Sequence, residues 1–149
     1  MKKIAVINGP NLNMLKIRDK EKYGDKSLSD INAELKDEGD RNNVSIFFFQ
    51  SNHEGEIIDY IHNNYKKWAG LIINPGGLTH TSVSLRDALE ILDIPILEVH
   101  LSNIAGREEY RNKSVIRDIV EGQIMGLGSF GYMAALNYLI DKINKGEIN

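Results

Sequence analysis

The sequence contains no cysteine, only three prolines and one tryptophan, and no long hydrophobic run. Without cysteine the chain can form no disulfide bond, thiolate nucleophile or cysteine-ligated metal site, which fits a reducing compartment. The apolar run at residues 4–7 is too short for the core of a signal peptide, and no later run approaches a membrane span. We therefore expect a cytoplasmic protein without a membrane partner, whose chemistry uses oxygen and nitrogen side chains.

The charge is nearly balanced, with 18 Lys and Arg against 21 Asp and Glu, giving a net charge of -3. The basic residues are scattered along the chain, so the sequence carries no electrostatic footprint for nucleic acid or an anionic membrane. A chain of 149 residues with 42% hydrophobic content can bury a substantial core. We expect a single domain spanning residues 1–149.

Short β-branched and aromatic runs alternate with segments of helical periodicity. Buried strands are predicted at residues 4–7, 44–49, 70–74 and 95–101, with a fifth inside 116–125. Helices are predicted from apolar spacing over residues 28–35, 57–68 and 82–93, and after the glycine-rich segment GLGSFGYMAAL. Ser27 and Asp30 match a capping box, and His53 is expected to cap the second helix. This alternation predicts an α/β fold with a flavodoxin-like, doubly wound five-stranded parallel sheet.

Polar residues follow the predicted strands, at the edge where such sheets bind ligands. These residues are Asn8, Asn11, Arg18, Tyr23, Gln50, Ser51, Asn52, His53, Glu54, Asn74, Thr79, His80, Thr81, Ser82, Glu98, His100, Ser102, Asn103, Arg107 and Arg111. They supply a possible acid, bases and anion-binding groups without an obvious metal cage. Their convergence at one edge predicts an enzyme active site.

Individually, these residues also fit structural roles. Tyr23 can close its loop as a half-buried aromatic, and Arg18 can be a solvated charge. The sequence PGG at residues 75–77 fits a tight turn better than a phosphate cradle, because the P-loop Lys-Ser/Thr is missing. Glu98 and His100 alternate along one strand, so they share a face, and a structural pair fits this spacing as well as an acid/base pair.

Taken together, the ordered segments INGPNLNML, FFQSNHEGEIID, NPGGLTHTSVSLRDAL and EVHLSNIAGREEYR resemble type II 3-dehydroquinate dehydratases nearly end to end. Arg18 and Tyr23 stand between the first two segments, as in that family. The resemblance implies loss of water from 3-dehydroquinate through an enolate, without a Schiff base, in the shikimate pathway towards chorismate and aromatic amino acids. It also implies no cofactor, no metal, and a homododecamer built as a tetramer of trimers.

The resemblance also implies roles for individual residues. Tyr23 is the base, acting as a phenolate that the adjacent Arg18 guanidinium favours. Asn11 supports the developing enolate with an ordered water, and His100, held by Glu98, protonates the departing hydroxyl. The residues that match the family's substrate-binding groups are Asn74, His80, Asp87, Leu101, Ser102 and Arg111. Among them, Asp87 matches a residue that reaches in from a neighbouring subunit, although an exposed helix charge is the alternative.

Residues 16–24 resemble a lid that closes over the substrate. Lys16 stands where the family usually has glycine, and Asp19 and Lys20 replace a Glu-Pro pair. No proposed catalytic group is lost through these changes. The loss of proline predicts a more flexible open lid.

Three other functions compete with this interpretation. A flavin- or nucleotide-binding module fits the fold but lacks a phosphate-binding loop. An inactive structural oligomer conflicts with the retained polar groups. A lysine Schiff-base enzyme is the third alternative, but no lysine follows a buried strand. Biosynthesis and quinate breakdown use the same chemistry, so both roles remain open.

Overall fold

Short runs of β-branched and aromatic residues form one parallel sheet in the computed structural model, which describes all 149 residues. The strands are β1 (Lys2–Asn8), β2 (Val44–Gln50), β3 (Gly70–Asn74), β4 (Ile96–His100) and β5 (Gly122–Met125). Their order is β2-β1-β3-β4-β5, and every neighbouring pair is parallel. This flavodoxin-like order confirms the predicted doubly wound, five-stranded sheet. Because strand order reverses between β1 and β3, a ligand is expected beyond their carboxyl ends.

The chain forms five α-helices, and α2 to α5 cover the two faces of the sheet. They are α1 (Lys20–Tyr23), α2 (Leu28–Arg41), α3 (Glu54–Asn64), α4 (Val83–Leu89) and α5 (Phe130–Asn144). Alternate residues of β1 point to opposite faces, so Ile4 and Val6 pack with α2 and α5, whereas Ala5 and Ile7 pack with α3 and α4. None of the helices combines the length and the apolar character that a membrane span requires.

Two helices are shorter than the apolar spacing predicted. α3 ends at Asn64 and α4 at Leu89, so the helices predicted over residues 57–68 and 82–93 were too long. Beyond each end, amide groups donate to carbonyls three residues back instead of four, as from Leu92 to Leu89. Trp68 and Leu92 nevertheless remain buried in the core. Apolar residues in the turns after a helix can thus continue its periodicity without extending it.

Of the two helix caps predicted from the sequence, one is confirmed and one is wrong. Asp30 donates its N–H to the Ser27 hydroxyl at 3.1 Å, and Ser27 donates its N–H to the Asp30 carboxylate at 3.0 Å. This confirms the capping box, in which the Ser27 N–H and then the Ser27 hydroxyl lower the pKa of Asp30. His53 occupies the N-cap position of α3, but its side chain makes no capping hydrogen bond. The Ser51 hydroxyl instead accepts from the His53 N–H at 2.9 Å.

Candidate active site

The loops after β1 and β3 approach each other at two glycines. A Cβ atom on Gly9 would lie 2.3 Å from the Pro75 carbonyl oxygen, and one on Gly76 would lie 2.8 Å from the Pro10 carbonyl oxygen. Gly76 also has a φ of 61°, a conformation that side chains disfavour. Gly9 donates its N–H to the Asn74 carbonyl at 2.8 Å, which joins the two loops. Glycine at both positions therefore brings the two polar loops together at the switch point.

A cleft of about 170 Å³ opens at this edge of the sheet. The predicted site residues that line it are Asn11, Arg18, Tyr23, Asn74, His80, His100, Leu101, Ser102 and Arg111. Glu98 is fully buried and contacts His100 from within β4. Asp87 lies exposed on α4 and does not line the cleft of its own chain. Tertiary folding thus gathers every predicted residue except Asp87 at or directly beneath one cleft.

His100 is held by the buried carboxylate of Glu98. The His100 Nε2 atom lies 2.5 Å from Glu98 Oε2. Thr79 donates to the same carboxylate at 2.6 Å, and Ser114 and Gln123 donate to its other oxygen, each at 2.9 Å. The Glu98 carboxyl group can accept hydrogen bonds from all four donors only when it is ionised, because a protonated carboxyl group would place its own O–H against one of them. The arrangement therefore orients the imidazole and keeps a negative charge beside it.

The electrostatics of Glu98 follow from this set of contacts. Burial alone would raise the pKa of Glu98, since it disfavours the charged form. Hydrogen bonds from His100, Thr79 and Gln123 outweigh burial and hold the pKa below its usual value. Glu98 is consequently a fixed anion at neutral pH rather than a proton donor.

Two arginines contact Tyr23 in different ways. The Arg18 guanidinium carbon lies 3.8 Å from the Tyr23 ring centroid, so Arg18 packs on the ring face. Arg107 donates from Nη1 to the Tyr23 hydroxyl at 2.9 Å and to the Ser102 hydroxyl at 3.2 Å. The phenol oxygen therefore accepts a charge-assisted hydrogen bond from Arg107, while Arg18 adds a second positive charge nearby.

The segment that carries these residues contains regular structure. A 3₁₀ helix spans Leu12–Ile17, and α1 follows it. The Asp19 side chain accepts from the Glu21 N–H at 3.0 Å and so caps α1. Asn11 has a φ of 71°, and its N–H donates to the Asn52 side chain at 2.9 Å. Asparagine tolerates this left-handed conformation better than most residues, which helps to present its side chain at the cleft.

The substrate-facing groups are fixed by contacts within the chain. The Asn74 side-chain oxygen accepts from the Gly76 N–H at 3.1 Å. His80 Nδ1 lies 2.6 Å from the Lys113 carbonyl oxygen; because a carbonyl only accepts, Nδ1 carries a proton, and Nε2 is the ring nitrogen that remains for a ligand. Arg111 pairs with Glu108 at 2.9 Å.

The cleft lining is strongly cationic. Three arginines line it, at positions 18, 107 and 111, and no carboxylate does. An arginine fork can bind a carboxylate through two parallel hydrogen bonds. The cleft therefore suits a small anion that carries several hydroxyl or carbonyl oxygens.

Several residues around the site had no role assigned from the sequence. Arg107 and Thr79 followed predicted strands, but nothing in the sequence indicated their contacts with Tyr23 and Glu98. Gln123 reaches Glu98 because the two residues are register partners on β5 and β4. This register was the signal that could have identified Gln123, and it requires the strand order. The remaining donor, Ser114, lies in an irregular segment that carries no periodicity.

No group of three or more His, Cys, Asp or Glu side chains has the spacing to hold a metal ion. At the cleft, the Glu98 carboxylate and the His100 imidazole are hydrogen-bonded to each other.

The amino-acid sequence is similar to known proteins over nearly its full length. A family model described as "Dehydroquinase class II" matches residues 2–140. The chain is 53% identical to a 3-dehydroquinate dehydratase of Halothermothrix orenii, over 99% of each chain. It is also 53% identical to one of Clostridium perfringens, over 95% of this chain and 99% of the other.

Solved structures agree with these sequence matches. The crystal structure of a type II dehydroquinase from Butyrivibrio crossotus superposes with a TM-score of 0.89 at 44% identity, covering 93% of this chain and 97% of the other. One from Propionibacterium acnes gives a TM-score of 0.91 at 38% identity, covering 95% and 97%. The similarity therefore spans both the sheet and the loops that form the cleft.

Proposed function

The chain belongs to the class II dehydroquinase family, and from that premise we propose that it eliminates water from 3-dehydroquinate to give 3-dehydroshikimate. The observation that carries the proposal is that Tyr23, contacted by two guanidinium groups, and His100, held by an ionised carboxylate, line the same cleft. This reaction removes a proton beside a ketone and expels a hydroxyl from the next carbon. It needs a base, a stabiliser of the enolate and an acid.

Tyr23 is the base in this proposal. Its oxygen accepts from Arg107, and the Arg18 charge lies over its ring. Both contacts stabilise a phenolate more than a neutral phenol, because the charge-assisted hydrogen bond and the charge–charge attraction strengthen as the oxygen becomes negative. The phenolate takes the proton beside the ketone, and the electron pair moves onto the carbonyl oxygen to form the enolate.

Asn11 supports that enolate. Its left-handed backbone and the hydrogen bond from its N–H to Asn52 fix the residue at the mouth of the cleft. An amide N–H aimed at a developing oxyanion, directly or through a water, stabilises the enolate more than the ketone.

His100 is the acid that completes the elimination. Its Nε2 atom is committed to Glu98, so the proton for the leaving hydroxyl must come from Nδ1 of the imidazolium. The buried negative charge of Glu98 stabilises that imidazolium by direct attraction. The hydroxyl then leaves as water while the enolate collapses to a conjugated enone.

Substrate recognition uses the remaining groups of the cleft. Arg111 supplies a guanidinium for the carboxylate of 3-dehydroquinate, and the Leu101-Ser102 segment and Asn74 supply hydrogen bonds to oxygen atoms. His80 keeps Nε2 available for a hydrogen bond with a substrate hydroxyl. No lysine lines the cleft, which favours direct enolate formation over a Schiff base.

Two wider statements accompany this chemistry. The product belongs to the shikimate pathway towards chorismate and aromatic amino acids. We also place the chain in a homododecamer, a tetramer of trimers, in which Asp87 faces the site of the adjacent subunit. The second statement rests on membership of the family, and the exposure of Asp87 on α4 leaves it accessible to a neighbouring subunit.

A spectrophotometric assay tests the activity directly. Purified protein mixed with 3-dehydroquinate should produce the absorbance of the conjugated enone without added metal or cofactor. Treatment with borohydride in the presence of substrate should leave the activity intact, because no imine forms. Folded protein that yields no enone would overturn the proposed reaction, and inactivation by borohydride would favour a Schiff base.

A further inference from the structure

A chain of buried hydrogen bonds connects the core to the cleft. Tyr132 of α5 is fully buried, and its hydroxyl donates to the Asn8 side-chain oxygen at 2.5 Å. The same hydroxyl accepts from Asn74 Nδ2 at 2.9 Å. Asn8 and Asn74 are the last residues of β1 and β3, the strands that flank the switch point. Tyr132 therefore bridges the two strand ends from beneath, and only Asn74 of the three lines the cleft.

The directions of these hydrogen bonds leave little freedom for the Asn74 amide. Its oxygen accepts from the Gly76 N–H at 3.1 Å, and one hydrogen of its nitrogen goes to Tyr132. A primary amide has two N–H groups, so one N–H remains for a ligand. Burial raises the pKa of Tyr132, more than the Asn74 hydrogen bond lowers it, so the phenol keeps its proton as a donor.

The Gly76 N–H determines which way this chain of hydrogen bonds runs, because it needs the Asn74 oxygen as its acceptor. The Asn74 nitrogen therefore donates to the Tyr132 hydroxyl, whose single proton goes to the Asn8 oxygen. If the hydroxyl instead donated to Asn74, the amide would have to turn over. Its NH₂ group would then face the Gly76 N–H, donor against donor, which is costly in a buried site.

We propose that Tyr132 and Asn8 are positioning residues that lock the Asn74 amide with its nitrogen towards the cleft, so that it donates to an acceptor oxygen of the substrate. The inference rests on the proposed function for the identity of that substrate. Phenylalanine would fill the same space in the core. A buried hydroxyl costs free energy unless its hydrogen bonds are made, and here both of its partners are at the strand ends that form the site.

The first test measures the hydrogen exchange and the resonance position of the Asn74 side-chain amide, and it does not depend on enzyme activity. In protein labelled with ¹⁵N-asparagine, the Asn74 side-chain amide should show one slowly exchanging proton, the one donated to Tyr132. Tyr132→Phe should abolish that slow exchange and shift the resonance. Asn8→Ala should shift it as well, by removing the acceptor at the other end. An Asn74 amide that is unchanged in both variants would overturn the proposal.

The second test is a double-mutant cycle measured with 3-dehydroquinate. Tyr132→Phe should lower kcat/KM about 10-fold or more, mainly by raising KM, because a misplaced donor weakens substrate binding. In an Asn74→Ala background, the same change should have less than about a twofold effect, since it acts through Asn74. A merely structural loss would instead lower kcat by the same factor in both backgrounds, and that result would contradict the inference.

A matched control is Tyr60→Phe. Tyr60 is a partly buried helical tyrosine that stacks on Phe49 at a centroid distance of 4.1 Å and does not line the cleft. The Tyr60→Phe substitution should leave both the Asn74 resonance and kcat/KM unchanged. If the wild-type protein does not turn over 3-dehydroquinate, the proposed function fails, while the amide measurement still decides the positioning role of Tyr132.

Discussion

The Tyr23 hydroxyl accepts its hydrogen bond from Arg107, a residue 84 positions away, at 2.9 Å. Arg18, which is much nearer in sequence, lies over the ring instead, with its guanidinium carbon 3.8 Å from the centroid. The two arginines thus contact different parts of the Tyr23 side chain. Arg107 holds the oxygen that reacts, whereas Arg18 holds the orientation of the ring and adds positive charge.

Tyr23→Phe should keep the fold and nearly abolish turnover, because it removes only the oxygen that takes the proton. We expect kcat to fall about 100-fold or more, the usual scale for losing a general base. Steady-state kinetics with a thermal melt of the same sample would separate the two effects. Tyr65→Phe, at an exposed tyrosine, is the control and should behave as wild type. Wild-type kcat in the Tyr23 variant would remove Tyr23 from the role of base.

Arg107→Lys should lower kcat about 10-fold or more, since lysine keeps the charge but lacks the planar guanidinium that places Nη1 between the Tyr23 and Ser102 hydroxyls. Arg18→Lys should also reduce kcat, by loss of stacking on the ring. Arg41→Lys, on the exposed end of α2, serves as the control. If Arg107→Lys had the wild-type kcat while Arg18→Lys did not, Arg107 would not be the arginine that acts on the Tyr23 oxygen.

Glu98→Gln should lower both turnover and stability at neutral pH, because an amide N–H would face the donors around it. The pKa of Glu98 is lowered on folding from 4.5. Its ionised form therefore stabilises the fold above that pH, and the stabilisation is lost as pH falls through the lower folded value. Urea midpoints measured from pH 7 to pH 3 should converge for wild type and variant at the acid end. Parallel curves, or an equal effect of the exposed control Glu109→Gln, would contradict this account.

Gly9→Ala should destabilise the protein and impair the site together, because the added Cβ would meet the Pro75 carbonyl oxygen at 2.3 Å. The strand ends must then separate, which misplaces Asn11 and Asn74. Gly55→Ala is the matched control: nothing lies within 4 Å of its added Cβ, and alanine favours a helix by about 0.5–1 kcal/mol. Melting temperatures should therefore move in opposite directions. A rise in both would show that the two loops can separate without cost.

Asp87→Arg should split the proposed trimer or misplace the adjacent site, so sedimentation mass and kcat/KM should fall together. Asp59→Arg on α3 is the control, at another exposed aspartate of a helix. Both quantities are measured on one sample by analytical ultracentrifugation and by the enone assay. An Asp87 variant with wild-type mass and activity would leave this residue as an ordinary surface charge.

Local sequence was sufficient to predict the strands, the parallel sheet and the residues that follow each strand. Strand identity depends on short apolar runs, and parallel strands bring their carboxyl ends to one edge whatever the loops do. Side chains alternate along a strand, so the spacing of Glu98 and His100 correctly predicted that both lie on one face of β4. The Ser27–Asp30 capping box was likewise predictable, because all its partners lie within one helical turn.

Tertiary structure decided the contacts between residues distant in the chain. The sequence placed Arg107 beyond the fourth strand, but only the path of that loop brings it to the Tyr23 oxygen. Gln123 reaches Glu98 through the register of β4 with β5, and Tyr132 joins Asn8 to Asn74 because α5 crosses beneath both strand ends. Hydrogen bonds act over about 3 Å, so the partner of a buried polar group depends on how the layers pack, which no local pattern encodes.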